Sequence, residues 1–359
     1  MNLKKLSMIL LAGALAFSVS SCKDDDETAT APSLDGYLEF SVPAYVTPYS
    51  KVTMTPRGVE HPDGEGLGYY WKVSPSMTQN DTTRYENGLD FNGNPSDGSF
   101  THTFPDSLKT YTIYAYAFAK DYSNKSASDY CTVVSGGLEE SITNLDIATK
   151  ASSQVDIDGK TYYYTTIGGN DWMMTNVADP SAGVPYCNCI AMSDVFGRFY
   201  SYEEAQSVCP EGWALPAEAD WVALAKAAGA ENAEAYSNIG GVAAGLMGNA
   251  YFNEVRMWEY WPEVGDITNK TGMSIISSGF AMLGQKNESP KEDKYIENNY
   301  PNAIFKGYKE YATFWTSDAV EGEDGMAYYR YLIFDQPDLM IGKGDTKTFG
   351  ASVRCIRKK

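Results

Sequence analysis

Histidine and basic residues are scarce in this chain. Of 359 residues only His61 and His102 are histidines, and 28 Lys and Arg stand against 47 Asp and Glu, giving a net charge of −19. Two histidines exclude a zinc centre built from several imidazoles and leave few options for a Ser-His-Asp site. So acidic a chain has no basic face to displace phosphate counterions, which excludes nucleic acid as a partner.

The apolar run at the N-terminus is short. Lys4 and Lys5 precede it, and it extends from Leu6 to about Val19. It is too short and too closely followed by charge to be a stable membrane span. A basic stretch followed by a short apolar stretch is the arrangement of a secretory signal peptide. The sequence therefore predicts an exported protein.

The end of this run, Val19-Ser20-Ser21-Cys22, resembles the bacterial lipobox. The resemblance implies that residues 1–21 are removed and that acyl chains on Cys22 anchor the protein to a membrane. Residues 22–33 begin with an acidic run, 24–27, and predict a solvated tether. That run is similar to the signal that sends Bacteroidetes lipoproteins to the outer face of the outer membrane. This location is therefore the expected one.

Aromatic residues are abundant, at 13% of the chain with 27 tyrosines, which favours β-rich architecture. Residues 34–135 show short stretches of strand-forming residues separated by Gly, Pro, Asn and Asp. This spacing predicts an antiparallel β-sandwich. The predicted strands are Gly36–Val42, Lys51–Thr55, Gly68–Ser74, Gly98–Phe104, Thr110–Ala119 and Asp129–Val134.

Two features of this region are informative: Tyr70-Trp71, and the stretches 101–104 and 111–113. They resemble the core aromatic and the paired terminal strands of PKD-type immunoglobulin-like domains. The resemblance implies an immunoglobulin-like sandwich. The Gly-Asp-Gly turn common after the Trp is replaced here by Lys-Val-Ser-Pro at 72–75.

The strand predicted at Thr110–Ala119 has aromatic residues on its second face. Alternation places one set, 111, 113, 115 and 117, towards the core. The other set, Tyr114, Tyr116 and Phe118, then forms an aromatic stripe on the outer face. We interpret the stripe as an interface with a neighbouring surface, and a ligand platform is the alternative.

Residues 136–155 are rich in Ser, Thr, Glu and Ala and predict a linker with a short strand near 141–148. Residues 156–359 contain five sequence blocks. In order, they are Asp156–Tyr162 with Ile167–Met173, Gly197–Tyr200 with Cys209–Pro216, Thr268–Gly272 with Gly279-Phe280, Phe314–Ser317, and Ser352–Ile356. Together these blocks resemble the Fibrobacter succinogenes major paralogous domain. The resemblance implies an α+β, C-type-lectin-like fold, shared with the formylglycine-generating-enzyme group.

Two helices are predicted in this domain. The first covers Ser201–Val208, and the second begins near Pro216, where acidic residues in the first turn favour the helix dipole. Gly229 is a plausible end for the second helix. Its predicted buried stripe is Trp221, Leu224, Ala225 and Ala228.

The lectin-like resemblance also implies a disulfide between Cys209 and Cys355, in a compartment that permits one. Cys131, Cys187 and Cys189 then remain. Cys187 and Cys189 are too close in sequence to bridge each other comfortably. Because three is an odd number, one thiol is left over, and its state is open.

No motif for chemistry is complete. The cysteine positions are a poor match for a copper site with two thiolate ligands, because Cys187-Asn188-Cys189 lies far from Cys355 in the sequence. Gln336-Pro337-Asp338 matches a sugar-specifying calcium tripeptide of C-type lectins, but the Trp-Asn-Asp that follows downstream is missing. Asp90-x-Asn92-x-Asn94 starts like an EF-hand loop but has Pro95 where Gly is required. We therefore predict no catalytic residues, no metal and no cofactor.

The leading ligand-binding residues are aromatic. Trp258, Tyr260 and Trp261, with Glu259, form an aromatic and acidic stretch in the loop 253–263, where rings suit the faces of sugars. A second candidate loop is 318–329. The sequence predicts a non-enzymatic surface protein that recognises a glycan or a protein. The alternatives are a structural assembly component and, third, an extracellular enzyme on the same fold; the oligomeric state stays open.

Overall fold

A computed structural model describes residues 31–75, 82–85, 88–90, 92, 94–105, 109–134, 141–145, 147–285 and 303–359. Cys22 and residues 1–30 lie outside these ranges. The chain is mostly β, with 42% of residues in strands and 11% in helices. Within the described ranges, no helix is both long enough and apolar enough to cross a lipid bilayer.

The N-terminal part is built from strands that enclose one core. A five-stranded sheet has the order β2-β9-β8-β5-β6, and the pairs β1-β4 and β3-β7 complete this part. All pairings are antiparallel except β2 with β9. The strands are β1 Asp35–Glu39, β2 Tyr45–Val46, β3 Lys51–Met54, β4 Arg57–Glu60, β5 Gly68–Ser74, β6 Thr82–Tyr85, β7 Phe100–Thr103, β8 Lys109–Phe118 and β9 Lys125–Val133.

Trp71 is the centre of this core. Its ring is fully buried and lies 5.8 Å from that of Phe100, and its indole N–H donates to the carbonyl of Gly98 at 2.8 Å. The alternation predicted for β8 is confirmed. Tyr111, Ile113, Ala115 and Ala117 are buried, whereas Thr112, Tyr114, Tyr116 and Phe118 are half-buried on the outer face.

The six strands predicted here are all present, with bounds that differ by a few residues. The sequence did not predict β2, β4 and β6. β2 has only two residues, too few for any alternation to show, and it pairs with β9 from 87 positions away (132 − 45). β4 contains Gly58, whose φ of +79° lies in the left-handed region. A glycine in the sequence indicates a turn more than a strand, so β4 was not predicted.

The short strand predicted near 141–148 is present as β10 (Ile142–Thr143). The described residues that follow it form α1 (Ile147–Lys150) and β11 (Ser153–Ile157). β10 pairs with β16 further along the chain, and β11 forms a hairpin with β12. Because Ile142 and Ile147 are buried, hydrophobic contacts hold this segment against the C-terminal part, despite its polar composition.

The C-terminal part combines several small sheets with short helices. Its helices are α2 Ile190–Phe196, α3 Tyr202–Ala205, α4 Glu218–Ala227 and α5 Ala243–Leu246, with a 3₁₀ turn at Tyr186–Asn188. Its strands are β12 Lys160–Ile167, β13 Asn170–Met173, β14 Val184–Pro185, β15 Arg198–Phe199, β16 Tyr251–Phe252, β17 Val255–Arg256, β18 Phe280–Leu283, β19 Ala303–Lys306, β20 Tyr311–Ala319, β21 Met326–Ile333, β22 Met340–Asp345, β23 Phe349–Gly350 and β24 Ile356–Lys358.

Three sheets position the rest of this part. The sheet β11-β12-β13-β24 brings the first strands of the C-terminal part together with its last strand. The sheet β20-β21-β22 is a meander, and the sheet β19-β18-β23 lies beside this meander. All three sheets are antiparallel. Buried aromatic and aliphatic side chains fill the space between these sheets and α4.

Both predicted helices are present. Ser201 caps α3, because its hydroxyl accepts from the Glu204 N–H while the Glu204 carboxylate accepts from the Ser201 N–H. α4 ends before Gly229, which has φ +97°. The predicted stripe of α4, Trp221, Leu224, Ala225 and Ala228, is buried.

The closing segment, residues 351–357, is bound on several sides. Ala351 pairs with Tyr200, Ser352 with Phe314, and Ile356 with both Trp172 and Ala214. The two partners of Ile356 lie 142 and 184 positions earlier in the chain (356 − 214 and 356 − 172). The C-terminus is therefore part of the framework rather than an appendage.

Arg354 brings a buried charge into this segment. Its side chain is 2% exposed, and no carboxylate of the described residues lies within ion-pair distance of it. Its Nε donates to Asn176 Oδ1 at 2.9 Å, and its other nitrogens donate to the carbonyls of Met273 and Ser274. The guanidinium also lies over the ring of Phe314, 5.5 Å from its centroid. Burial lowers the pKa of Arg354 to about 9.

The two parts of the chain contact each other through an apolar junction. Tyr45 in β2 packs against Tyr186 and Phe252, with ring centroids 5.7 and 6.1 Å apart. Nearby, the Asn253 amide donates to the Thr110 hydroxyl at 2.6 Å. The N-terminal sheet is thus fixed against the C-terminal part by buried contacts.

The disulfide between Cys209 and Cys355 is confirmed, with Cα atoms 5.7 Å apart. Among the described residues this is the one disulfide, and Cys131, Cys187 and Cys189 are buried. Burial raises the pKa of Cys131 and of Cys189, which favours the thiol over the reactive thiolate.

We expect Cys209→Ser/Cys355→Ser to lower the free energy of unfolding by about 5 kcal/mol, since the crosslink closes a loop of 146 residues. Urea unfolding of the exported, oxidised protein measures this. Reductant should move the unmodified protein to the midpoint of the double variant and leave the variant unchanged. Equal midpoints without reductant would contradict the expectation.

Candidate functional site

A cavity of about 450 Å³ opens on one face of the meander β20-β21-β22. We call it the aromatic cavity. Such a volume lies in the range of small-molecule sites, which combine apolar walls with a few polar groups. Its lining residues are Phe280, Lys306, Gly307, Glu310, Tyr311, Thr313, Tyr329, Tyr331 and Phe349.

Strand alternation places the rings of β21 in the cavity. Tyr329 and Tyr331 are two residues apart and share a face, opposite Trp315 and Thr313 of β20. The intervening Arg330 is fully buried on the other face, where it forms an ion pair with Glu218 at 2.5 Å. β21 therefore has one face in the core and the other lining the cavity.

Glycines of β22 make room for these rings. Gly342 pairs with Tyr329, and a Cβ at that position would lie 2.3 Å from the Tyr329 Cζ. A Cβ on Gly344 would lie 2.6 Å from Phe349 Cδ1 and 2.9 Å from Trp315 Cη2. Neither glycine has a positive φ, so the requirement is for space rather than for backbone freedom. We call this pair of residues the glycine floor.

The walls come from the neighbouring sheet and one turn. Phe349 of β23 stacks on Tyr329 with ring centroids 4.5 Å apart, and Phe280 of β18 meets Tyr311 edge-on at 5.9 Å. Phe280 also pairs with Lys306 across β18 and β19. The turn after Lys306 is closed by the Glu310 N–H, which donates to the Gly307 carbonyl at 2.9 Å. The rings are thus held by cross-strand packing.

The tyrosines of the cavity are neutral at ordinary pH. Burial raises the pKa of Tyr329 to about 12, and it raises the pKa of Tyr331 as well. Burial also raises the pKa of Tyr311, with a further contribution from the Glu310 charge. Within the described residues, the hydroxyls of these three tyrosines form no hydrogen bond. Each is therefore available to a ligand.

The residues predicted to bind a ligand lie elsewhere and are not brought together. Trp258 is 1% exposed, and its indole N–H donates to the Ile275 carbonyl at 2.8 Å, so its ring offers no face to a ligand. The hairpin β16–β17 turns this residue inward. Glu259, Tyr260 and Trp261 remain exposed, with Trp261 edge-on to Phe334 at 5.6 Å. A role for these three stays a prediction.

The aromatic stripe lies on the outer face of the N-terminal sheet. Tyr116 faces Tyr70 across β8 and β5 at 5.9 Å, and Phe118 lies under the Arg84 guanidinium at 4.7 Å. Tyr114 is half-buried beside them. The stripe is thus partly covered by its own sheet.

The motifs considered for metal binding form hydrogen-bonded turns. Asp338 accepts from the Gly241 N–H at 3.1 Å, and Asp90 accepts from the N–H groups of Asn92 and Asn94. Across the described ranges, no three His, Cys, Asp or Glu side chains are grouped so as to hold a metal ion.

A comparison with protein families identifies the domain that carries the cavity. A family model, the Fibrobacter succinogenes major domain, matches residues 165–357, more than half of the chain. The chain belongs to this family. No curated protein matches it significantly.

Sequence reasoning missed the aromatic cavity. Tyr329 pairs with Gly342, whereas Tyr331 pairs with Met340 and Gly344 with Ala327. The signal present in the sequence was a strand with two tyrosines spaced by two, followed by a strand with two glycines spaced by two. Only the loop 318–329 was predicted as a second binding region, and Tyr329 is its last residue.

We expect Gly342→Ala to lower the free energy of unfolding by roughly 1–3 kcal/mol, because its Cβ would displace the Tyr329 ring. Near-ultraviolet circular dichroism and urea unfolding measure the two effects. Gly240→Ala is the matched control: its Cβ would meet nothing closer than 3.6 Å. An unchanged tyrosine signal in Gly342→Ala would contradict the packing described.

The raised pKa of Tyr329 makes stability depend on alkaline pH. Its contribution is complete below the ordinary tyrosine pKa of 10.0 and is lost as pH rises through about 12, because only the unfolded chain ionises readily in between. Unfolding measured across this window should show a decline that is smaller in Tyr329→Phe. Identical pH profiles for the two proteins would refute the assignment.

Proposed function

We propose that this chain is a non-enzymatic binding protein whose C-terminal domain recognises a glycan in the aromatic cavity. The observation that supports it most is the composition of the lining: five rings, Phe280, Tyr311, Tyr329, Tyr331 and Phe349, with free hydroxyls and charged groups among them. Sugar rings present C–H faces that stack on aromatic rings and hydroxyls that need hydrogen-bond partners.

A glycan suits this site better than a protein. Protein interfaces bury broad surfaces, about 800 Å² per partner, whereas the aromatic cavity is concave and of small-molecule size. A projecting end of a glycan fills such a space. Recognition of a protein would instead use exposed loops, such as that of Tyr260 and Trp261.

Binding rather than hydrolysis agrees with the acids present. Glycoside hydrolysis by the usual route uses two carboxylates that flank the bond. Among the described residues that line the aromatic cavity, Glu310 is the one carboxylate. The site can hold a sugar without the pair of acids needed to cleave it.

The proposed setting is the cell surface. The lipobox at 19–22 and the acidic run that follows support a lipid anchor on Cys22 in the outer membrane, facing outwards. The five-stranded sheet and its two accompanying pairs support an immunoglobulin-like, PKD-type sandwich. The short helices α3 and α4, together with the Cys209–Cys355 link, support a C-type-lectin-like arrangement for the domain that carries the cavity.

Affinity electrophoresis of residues 22–359 through a panel of polysaccharides tests this function. We expect Tyr331→Ala to weaken retardation roughly tenfold, because a stacking face is lost. Tyr328→Ala is the matched control, since Tyr328 neighbours the cavity residues on β21 but does not line the cavity. If retardation is lost in Trp261→Ala but kept in Tyr331→Ala, the binding site is the loop 253–263 and not the aromatic cavity. No retardation by any polysaccharide would overturn glycan recognition.

Assembly through the aromatic stripe is the second candidate. The half-exposed Tyr114, Tyr116 and Phe118 lie on an outer sheet face, which supports contact with another copy or another surface protein. Sedimentation at micromolar concentrations tests it: association that disappears in Tyr116→Ala would favour this role. A monomer at all concentrations would exclude self-assembly.

A further inference from the structure

Two opposite charges line the aromatic cavity. Lys306 is the last residue of β19 and Glu310 immediately precedes β20, so they stand at the two ends of one turn. The turn is fixed, because the N–H groups of Glu310 and Tyr311 both donate to the Gly307 carbonyl, at 2.9 and 2.8 Å. Strand pairing of Lys306 with Phe280 fixes the other end.

Neither charge has a charged partner among the described residues. Within the described ranges, Lys306 and Glu310 form no ion pair with each other or with any other residue, and neither side chain makes a hydrogen bond. In contrast, Lys343 in the same meander pairs with Glu323. Two half-buried charges without partners are therefore available where a ligand would lie.

The remaining polar groups of the cavity are neutral. The hydroxyls of Tyr311, Tyr329 and Tyr331 carry protons at physiological pH, since burial raises the pKa of all three. The cavity thus combines a cationic donor, an anionic acceptor and neutral hydroxyls on aromatic walls. The formal charges of Lys306 and Glu310 cancel.

We propose that the aromatic cavity takes a neutral pyranose with adjacent hydroxyls, which Lys306 and Glu310 bind together. One sugar hydroxyl accepts from the Lys306 ammonium, a neighbouring hydroxyl donates to the Glu310 carboxylate, and the C–H face of the ring lies on the aromatic wall. This proposal rests on the proposed glycan function and names the class of sugar.

Charge argues against ionic sugars. A carboxylated or sulfated sugar would meet Glu310 inside the cavity and the net charge of −19 outside it. A cationic sugar would be attracted by that net charge, but inside the cavity it would meet the ammonium of Lys306. An uncharged ring satisfies both groups at once, because each hydroxyl can donate and accept.

The experiment is affinity electrophoresis of residues 22–359 at low ionic strength through neutral polymers (a mannan, a galactan, a xyloglucan) and acidic ones (polygalacturonate, heparin). Lys306→Met and Glu310→Gln keep the shape of the side chain and remove the charge. Lys309→Met and Glu321→Gln are matched controls, because neither residue lines the cavity. Urea unfolding midpoints verify that all four variants fold.

We expect retardation by a neutral polymer, weakened about tenfold or more by either cavity variant and unchanged in the controls, as loss of a hydrogen bond to a charged group predicts. Retardation by acidic polymers alone, lost in Lys306→Met and strengthened in Glu310→Gln, would overturn the neutral class and leave glycan recognition intact. Neutral binding that neither variant affects would overturn the roles of Lys306 and Glu310. No retardation at all would overturn the proposed function itself.

Discussion

The buried guanidinium of Arg354 is the interaction on which the C-terminal part depends. A charge in a low-dielectric interior is very unfavourable unless polar groups surround it, and here amide and carbonyl oxygens replace a carboxylate. Asn176, Met273 and Ser274 come from two separate stretches of chain, so solvating one cation fixes both stretches against the closing segment. The disulfide at the next residue, Cys355, anchors a third stretch through Cys209.

This constraint extends to the aromatic cavity. Phe349 lies five positions before Arg354 and is the ring that stacks on Tyr329. Ser352, between them, pairs with Phe314 of β20, the strand that also carries Tyr311 and Thr313. The wall and the sheet that it faces are therefore positioned by the same closing segment.

Local pattern predicted the framework, and long-range assembly determined the site. The stripe of α4, the alternation of β8 and the domain family could be predicted from the sequence, because each depends on residues that are close together in the chain. The cavity could not, since Phe280, Tyr331 and Phe349 meet only when three strands from two sheets come together. Trp258 was predicted to bind a ligand because acidic residues surround it in the sequence. Those neighbours are exposed to solvent, whereas the ring of Trp258 is buried.

The glycine floor divides the cavity into a part that tolerates substitution and a part that does not. Any side chain at 342 or 344 would collide with Tyr329, Phe349 or Trp315. In proteins of this architecture, substitutions that leave the packing intact are therefore expected at other lining positions, such as 280, 306 and 310. Diversity within such a lineage is expected to concentrate along one rim, above a base that stays the same.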